Sequence, residues 1–121
     1  MRLFALRGAN SVETNDAQAI LDATDELMRE LMARNQLEAD SLVSVIFTMT
    51  EDLDAEFPAV AARQLGLGRV PLLCAREIPV PGALPRVIRV LAHYHAVDGH
   101  EPQHVYLREA RALRSDLEAA Q

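Results

Sequence analysis

The stretch from Val70 to Tyr94, VPLLCAREIPVPGALPRVIRVLAHY, restricts the possible folds more than any other. Val70 to Ala75 is an apolar run of about six residues between Gly-rich and Pro-rich breakers, a length that suits a short buried strand better than a helix. Glu77 follows just past its end. Pro79, Pro81, Gly82 and Pro85 then deny the backbone the donors and regular dihedrals of a helix or central strand, so IPVPGALP is predicted to be an ordered loop. From Arg86 to Tyr94 the apolar pattern resumes with Arg89 in its middle. A guanidinium in apolar surroundings needs an anionic partner, either Glu77 or a bound anion.

The rest of the chain supplies elements to pack against this stretch. Arg2 to Arg7 reads as a first strand ended by Gly8, with Arg7 at its C-terminal end. Asn15 to Asn35 has helical periodicity: Ile20, Leu21, Thr24, Leu27, Met28 and Leu31 form one stripe. Asn15 and Gln18 stand as in a capping box, and Asn35 suits a left-handed stop. Ser41 to Thr50 is β-branched and apolar enough for a central strand, and EDLDAEFP is a polar connection. Pro58 begins a short second helix over PAVAARQL, ended by Gly66, with Ala59 and Arg63 one turn apart. HVYL reads as a last strand, and REARALRSDLEAAQ has helical composition. This order favours an α+β or α/β sheet with its helices packed on one face. The 121 residues, half of them apolar, make one domain, 1–121. Leu72, Val87, Val90 and Val105 are candidates for the sheet surface the helices leave bare, and oligomerisation is the simplest way to hide it.

Composition removes several function classes. A net charge of -6 argues against nucleic-acid binding, which needs a basic face. All twelve basic residues are Arg, so Schiff-base chemistry and a P-loop lysine are excluded, while bidentate recognition of carboxylate or phosphate stays open. The missing Lys equally fits a bias of genomic base composition. Cys74 is the sole cysteine, which rules out an intrachain disulfide and fits a reducing cytoplasm. MRLFALRG lacks the h-region of a signal peptide, and no apolar run approaches the ~18 residues that span a bilayer. The expectation is a cytoplasmic protein with no membrane or nucleic-acid partner.

The segments LRGANSVE (Leu6 to Glu13), FPAVAARQL (Phe57 to Leu65), VPLLCARE (Val70 to Glu77), IRV (Ile88 to Val90) and HVYLREARALR (His104 to Arg114), in register over nearly the whole chain, resemble the monofunctional chorismate mutases of the trimeric AroH type. The resemblance implies an α+β fold with a mixed β-sheet, helices packed against it, and three subunits forming a pseudo-α/β-barrel homotrimer with active sites between subunits. It implies the rearrangement of chorismate to prephenate in the shikimate pathway toward phenylalanine and tyrosine, a pericyclic step with no covalent intermediate and no cofactor or metal. Arg7, Arg89 and Tyr106 match the positions that hold the substrate carboxylates and the ether oxygen. Glu77 and the Cys74 region, with Leu72 and Leu73, match those that bind the ring hydroxyl. Phe57, Ala59 and Arg63 match the wall and mouth of the pocket given by the neighbouring subunit, and Leu113 and Arg114 match the closing C-terminal segment. On this basis Arg89, Glu77 and Arg7 carry the catalysis.

Two departures stand out. Val60 occupies a position where the family pattern often has Lys, which leaves Arg63 as the substitute cation at the mouth, and Leu73 replaces a frequent Thr before the Cys. The chemistry agrees in kind. Chorismate is a dianion whose ether bond breaks with negative charge growing on oxygen, so its site should hold fixed cations and no strong nucleophile.

Each residue also has a plainer reading. Arg89 and Glu77 would make a structural ion pair, Arg7 a strand-end surface charge, Cys74 a small buried hydrophobe, Tyr106 an amphipathic core residue and Phe57 a staple before the Pro-started helix. His93 and His95 would share a strand face and invite a metal, but no further ligand is placed to complete a set with His100 or His104. The Arg108, Arg111 and Arg114 series suits either a solvated face or a carboxylate clamp. Beside a mutase stand two other classes: a non-catalytic trimeric module that binds a small carboxylate, and a trimeric hydrolase or deaminase, which would need a water-activating base or metal.

Overall fold

The structure, a computed structural model, describes residues 1–113. Strand β1 (Arg2–Ser11), helix α1 (Ala17–Arg34), strand β2 (Leu42–Met49), helix α2 (Ala59–Ala62) and strands β3 (Leu72–Arg76), β4 (Val87–Ala96) and β5 (Val105–Tyr106) follow one another. The strands form one mixed sheet in the order β3-β2-β4-β1-β5. The long strand β4 runs antiparallel to β1 and β2, whereas β2–β3 and β1–β5 are parallel pairs. This is the α+β mixed sheet expected, with its helices on one face.

Alternation along the strands divides the sheet into two unlike faces. Phe4, Leu6, Val45, Phe47, Ile88, Val90, Ala92 and Tyr94 point toward the helices and join Ile20, Leu27, Met28, Leu31 and Ala62 in one buried cluster. Each fully buried Val, Leu, Ile, Phe or Met among them is worth about 1.5–3 kcal/mol. Arg7, Ile46, Thr48, Arg89, Leu91 and His93 occupy the other face and are half-exposed. The expectation that Leu72, Val87, Val90 and Val105 would lie bare is therefore corrected. Val90 and Val105 are buried under the helices, Leu72 packs against the same core, and Val87 is covered by Ala110 and Leu84. With apolar residues at consecutive positions of β4, the pattern alone leaves the phase open, and a shift of one residue exchanges the faces.

Several local expectations also change. The first strand continues past Gly8 to Ser11, so Arg7 lies within it. A Cβ on Gly8 would stand 3.0 Å from the Val105 carbonyl oxygen and 3.1 Å from both Leu27 and Val90. The glycine is there to let β5 and α1 approach. Helix α1 is capped by Asp16, whose carboxylate accepts from the Ala19 N–H at 3.0 Å. Asn15 instead ties down the loop after β2, its oxygen accepting from the Asp54 and Ala55 N–H groups. Asn35 ends the helix at φ −107°, and Gln36 takes the left-handed conformation at φ 54°. Helix α2 widens after Ala62 into a turn over Arg63–Leu67, broken by Gly66 at φ 96°. The run expected as a buried strand is β3, an edge strand starting at Leu72, with Leu73 60% exposed.

The proline loop is ordered by its neighbours. Arg76 donates to the Leu53 and Thr50 carbonyls, and the Asp52 carboxylate receives the Arg86 N–H at 3.0 and 3.1 Å. Arg86 sits at φ 50°, a costly conformation for a non-glycine residue that Asp52 and the bond from its own Nε to the Val12 carbonyl hold in place. Gly8→Ala is expected to lower stability by about 1–3 kcal/mol through overpacking. Its urea midpoint beside the wild type's reads this, and an unchanged midpoint would mean that β5 can retreat at no cost.

Candidate active site

The bare face of the sheet carries a cavity of about 270 Å³ lined by Arg7, Gly8, Ile46, Thr48, Arg89, Val90, Leu91 and Tyr106. The register builds it. Arg7 stands opposite Leu91 and Ala9 opposite Arg89, so the two arginines are diagonal neighbours on adjacent strands. Tyr106 enters from the far side, opposite Ala9 in β5. Thr48 faces Arg89 from β2. The floor is apolar and the rim cationic.

Glu77 stands beyond Arg89, in an adjoining hollow of about 320 Å³ that Arg89 also lines. The parallel rung from the Glu77 N–H to the Met49 carbonyl, 3.0 Å, sets it just past β3, and its carboxylate takes both oxygens to Arg89 Nε at 3.0 Å. Glu77 is thus the anionic partner that Arg89 required. Thr48 Oγ1 donates to the same carboxylate at 2.8 Å and fixes its rotamer. Among the described residues Arg89 donates only through Nε, so its terminal nitrogens are free to face a ligand. Burial pushes the Tyr106 phenol above its ordinary pKa, while the Arg7 and Arg89 guanidinium groups pull it back. Tyr106 is therefore a protonated donor at neutral pH within the field of both cations.

Other residues singled out in the sequence fall elsewhere. Leu113 packs with Leu84 and Tyr106 against Ala9, Val87 and Ala110, where the turn Arg108–Arg111 folds over one corner of the bare face. Leu72 and Cys74 direct their side chains into the helix-side core, so the Cys74 thiol does not face the cavity. The Glu77–Met49 and Val45–Pro71 rungs leave the backbone N–H and C=O of Cys74 pointing out from the sheet edge. Leu73 lies on the bare side. The Ala59 methyl is buried in this chain's own core, whereas Phe57 and Arg63 are exposed. Arg114 lies outside the described residues. Sequence reasoning missed Thr48, Ile46 and Leu91; the alternation of β2 and β4 was their only signal.

Three of the four histidines engage separate partners: His93 with Ser44, His100 with the Tyr94 hydroxyl, and His104 with the Arg7 N–H. A larger hollow, about 370 Å³, runs between Ser11 and Arg108. Among the described residues its one arginine, Arg108, is held by Glu26 at 2.9 and 3.0 Å, and Glu13 and Asp22 leave it acidic. It would repel an anion that the cavity at Arg7 and Arg89 attracts.

Residues 3–117 match the family described as chorismate mutase type I. The chorismate mutase AroH of Thermus thermophilus is 54% identical over 118 residues, covering 96% of this chain and 97% of the relative. That of Bacillus subtilis is 35% identical, covering 97% and 94%. The solved chorismate mutase from Clostridium thermocellum superposes with a TM-score of 0.87 at 44% identity, covering 90% of this chain and 98% of the other.

Tyr94 and Tyr106, the two tyrosines of the chain, are both pushed above the ordinary value of 10.0 by burial. Phenolate absorbance of the folded protein should accordingly rise above pH 10 and that of the urea-unfolded chain near it. Because the folded state holds these protons more tightly, stability falls as pH climbs through that range. A folded-state midpoint at or below 10 would contradict this placement.

Proposed function

This chain belongs to the chorismate mutase type I family of intramolecular isomerases, and from that premise we propose that Arg7, Arg89, Tyr106 and Glu77 rearrange chorismate to prephenate on the bare face of the sheet. The observation that carries this assignment is the diagonal pair Arg7 and Arg89 over an apolar floor, with Tyr106 lining the same cavity and Glu77 beyond Arg89. In the rearrangement one C–O bond breaks as one C–C bond forms, and no proton, nucleophile or metal is needed. Catalysis then has two sources. Arg7 and Tyr106 bind carboxylate and hold the enolpyruvyl arm over the ring. A terminal nitrogen of Arg89 donates to the ether oxygen as its charge grows. Glu77 and the outward backbone of Cys74 take the ring hydroxyl.

An acceleration of ~10⁶ requires lowering the barrier by ~8 kcal/mol. A preorganised donor like Arg89 contributes ~3–4 kcal/mol, and orientation supplies the remainder. Glu77 and Thr48 matter because they hold Arg89 in position before the substrate arrives, so no reorganisation is needed in the transition state.

The working enzyme is a cytoplasmic homotrimer in this reading. Exposed apolar side chains support it: Leu73, Phe57 at 66% and Ile78 at 83% are poor surface for a lone chain. A neighbouring subunit brings Phe57 and Arg63 to the mouth of each site, and Leu113 closes it. No helix among the described residues is long and apolar enough to cross a membrane.

The loss of chorismate's ultraviolet absorbance, followed with EDTA present, tests the assignment. Arg89→Ala should lower kcat by about 10²–10³ while sedimentation still reports three 13.4 kDa chains. An unchanged kcat would reduce Arg89 to a structural partner of Glu77, and a folded trimer without turnover would be a small-carboxylate-binding module. Arg63→Ala should act mainly on KM, and a pure kcat loss would remove Arg63 from the mouth.

A further inference from the structure

We propose that His104 is a positioning residue for this reaction, its Nδ1 standing in for a strand carbonyl to lock Arg7 and Tyr106 into one arrangement. The proposal rests on the mutase reading for its kinetic consequence and on geometry for the rest. Strand β5 has only Val105 and Tyr106, paired in parallel with Gly8 and Ala9, and Leu107 N–H extends the ladder to the Ala9 carbonyl at 3.0 Å. The next rung toward Arg7 would ordinarily use the carbonyl of Gln103. That carbonyl is turned away, receiving the Asn35 side-chain amide at 3.0 Å, while the Gln103 N–H goes to Asn35 Oδ1 at 2.7 Å. The Arg7 N–H would be left without a partner, and His104 Nδ1 accepts it at 3.0 Å. One imidazole thus completes the ladder between the residue before Gly8 and the strand that carries Tyr106.

The bond demands a particular form of the ring. Nδ1 must be bare, so the proton sits on Nε2 and the ring is neutral. A second proton would land on Nδ1, face the Arg7 N–H, and place a cation beside the Arg7 guanidinium. Arg7, from β1, is the charged side chain acting on the ring among the described residues; Tyr106, from β5, is neutral, and Glu101 is exposed in the preceding connection. Partial burial and the Arg7 charge both push the His104 pKa below its ordinary 6.5. The rung is therefore intact above pH 6.5 and lost as the pH falls through the lowered value.

Two measurements test this, one without substrate. Protection of the Arg7 amide against hydrogen exchange, taken relative to its intrinsic rate, should fall about tenfold in His104→Ala, as for one lost hydrogen bond. His104→Asn, whose Oδ1 can reach the place of Nδ1 and does not titrate, should keep the protection as the pH is lowered from 7, whereas the wild type loses it as the pH falls through the lowered His104 pKa. In chorismate turnover, His104→Ala should raise KM about tenfold and change kcat much less, since it loosens binding before the chemistry. His104→Asn should restore KM and abolish the acid limb expected of the wild type. Equal protection of Arg7 in wild type and His104→Ala, or an acid limb of the same size in His104→Asn, would overturn the proposal. If the wild type turned over no chorismate, the mutase reading would fall, and the amide measurement would still decide the role of His104.

Discussion

The placement of every working side chain depends on the register of β4. This strand alone is shared by both halves of the sheet, pairing from Val87 to Ala96 with all of β1 and from Ile88 to Tyr94 with β2. Its alternation sends Ile88, Val90, Ala92 and Tyr94 into the core and Arg89, Leu91 and His93 to the bare face. The apolar set holds the register because a slip of one residue would bury Arg89 and expose the core. The position of the guanidinium is thereby fixed by hydrophobic packing on the far side of the sheet. The carboxylate of Glu77 then sets only its orientation.

A chain without lysine sets five of its arginines to two kinds of task. Arg76, Arg86 and Arg108 are tied to backbone carbonyls or to Glu26, and they shape loops. Arg86 and Arg108 even hold positive φ values, 50° and 49°, at the entry to β4 and just after β5. Arg7 and Arg89 instead face a cavity. The planar fork suits both tasks, since it can bind several acceptors in fixed directions, whereas an ammonium group would give a point charge with less directional control. Cations held this way cost little reorganisation when charge develops in front of them.

The order of elements, the proline loop and the Arg89–Glu77 pair could be read from the chain because each follows from a local requirement. Prolines lack donors, and an arginine in an apolar run needs an anion. The faces of the strands were harder. VIRVL is apolar on both sides of Arg89, so alternation carried no phase, and Val90 was assigned outward when it packs inward. Gly8 looked like a stop because its true constraint, the closeness of Val105 and Leu27, lies across the fold. Thr48 and His104 act on partners 29 and 97 residues away, separations at which a motif leaves no trace. Arg7 was recognisable through the family resemblance, since by position alone it was an ordinary surface charge.

The pairing of the first strand with nearly the last has a consequence for the birth of the protein. Ser11 meets Val87 and Arg2 meets Ala96, so β1 emerges from the ribosome well before β4 and finds its partner only when the intervening helices and strands have been made. At cellular elongation rates that interval is on the order of several seconds to more than ten. During it Leu3, Phe4 and Leu6 have no sheet to join. The α1–β2 portion can form local contacts meanwhile, but closure of the sheet is a late, non-local event, and the site formed between β1 and β4 is among the last features to exist.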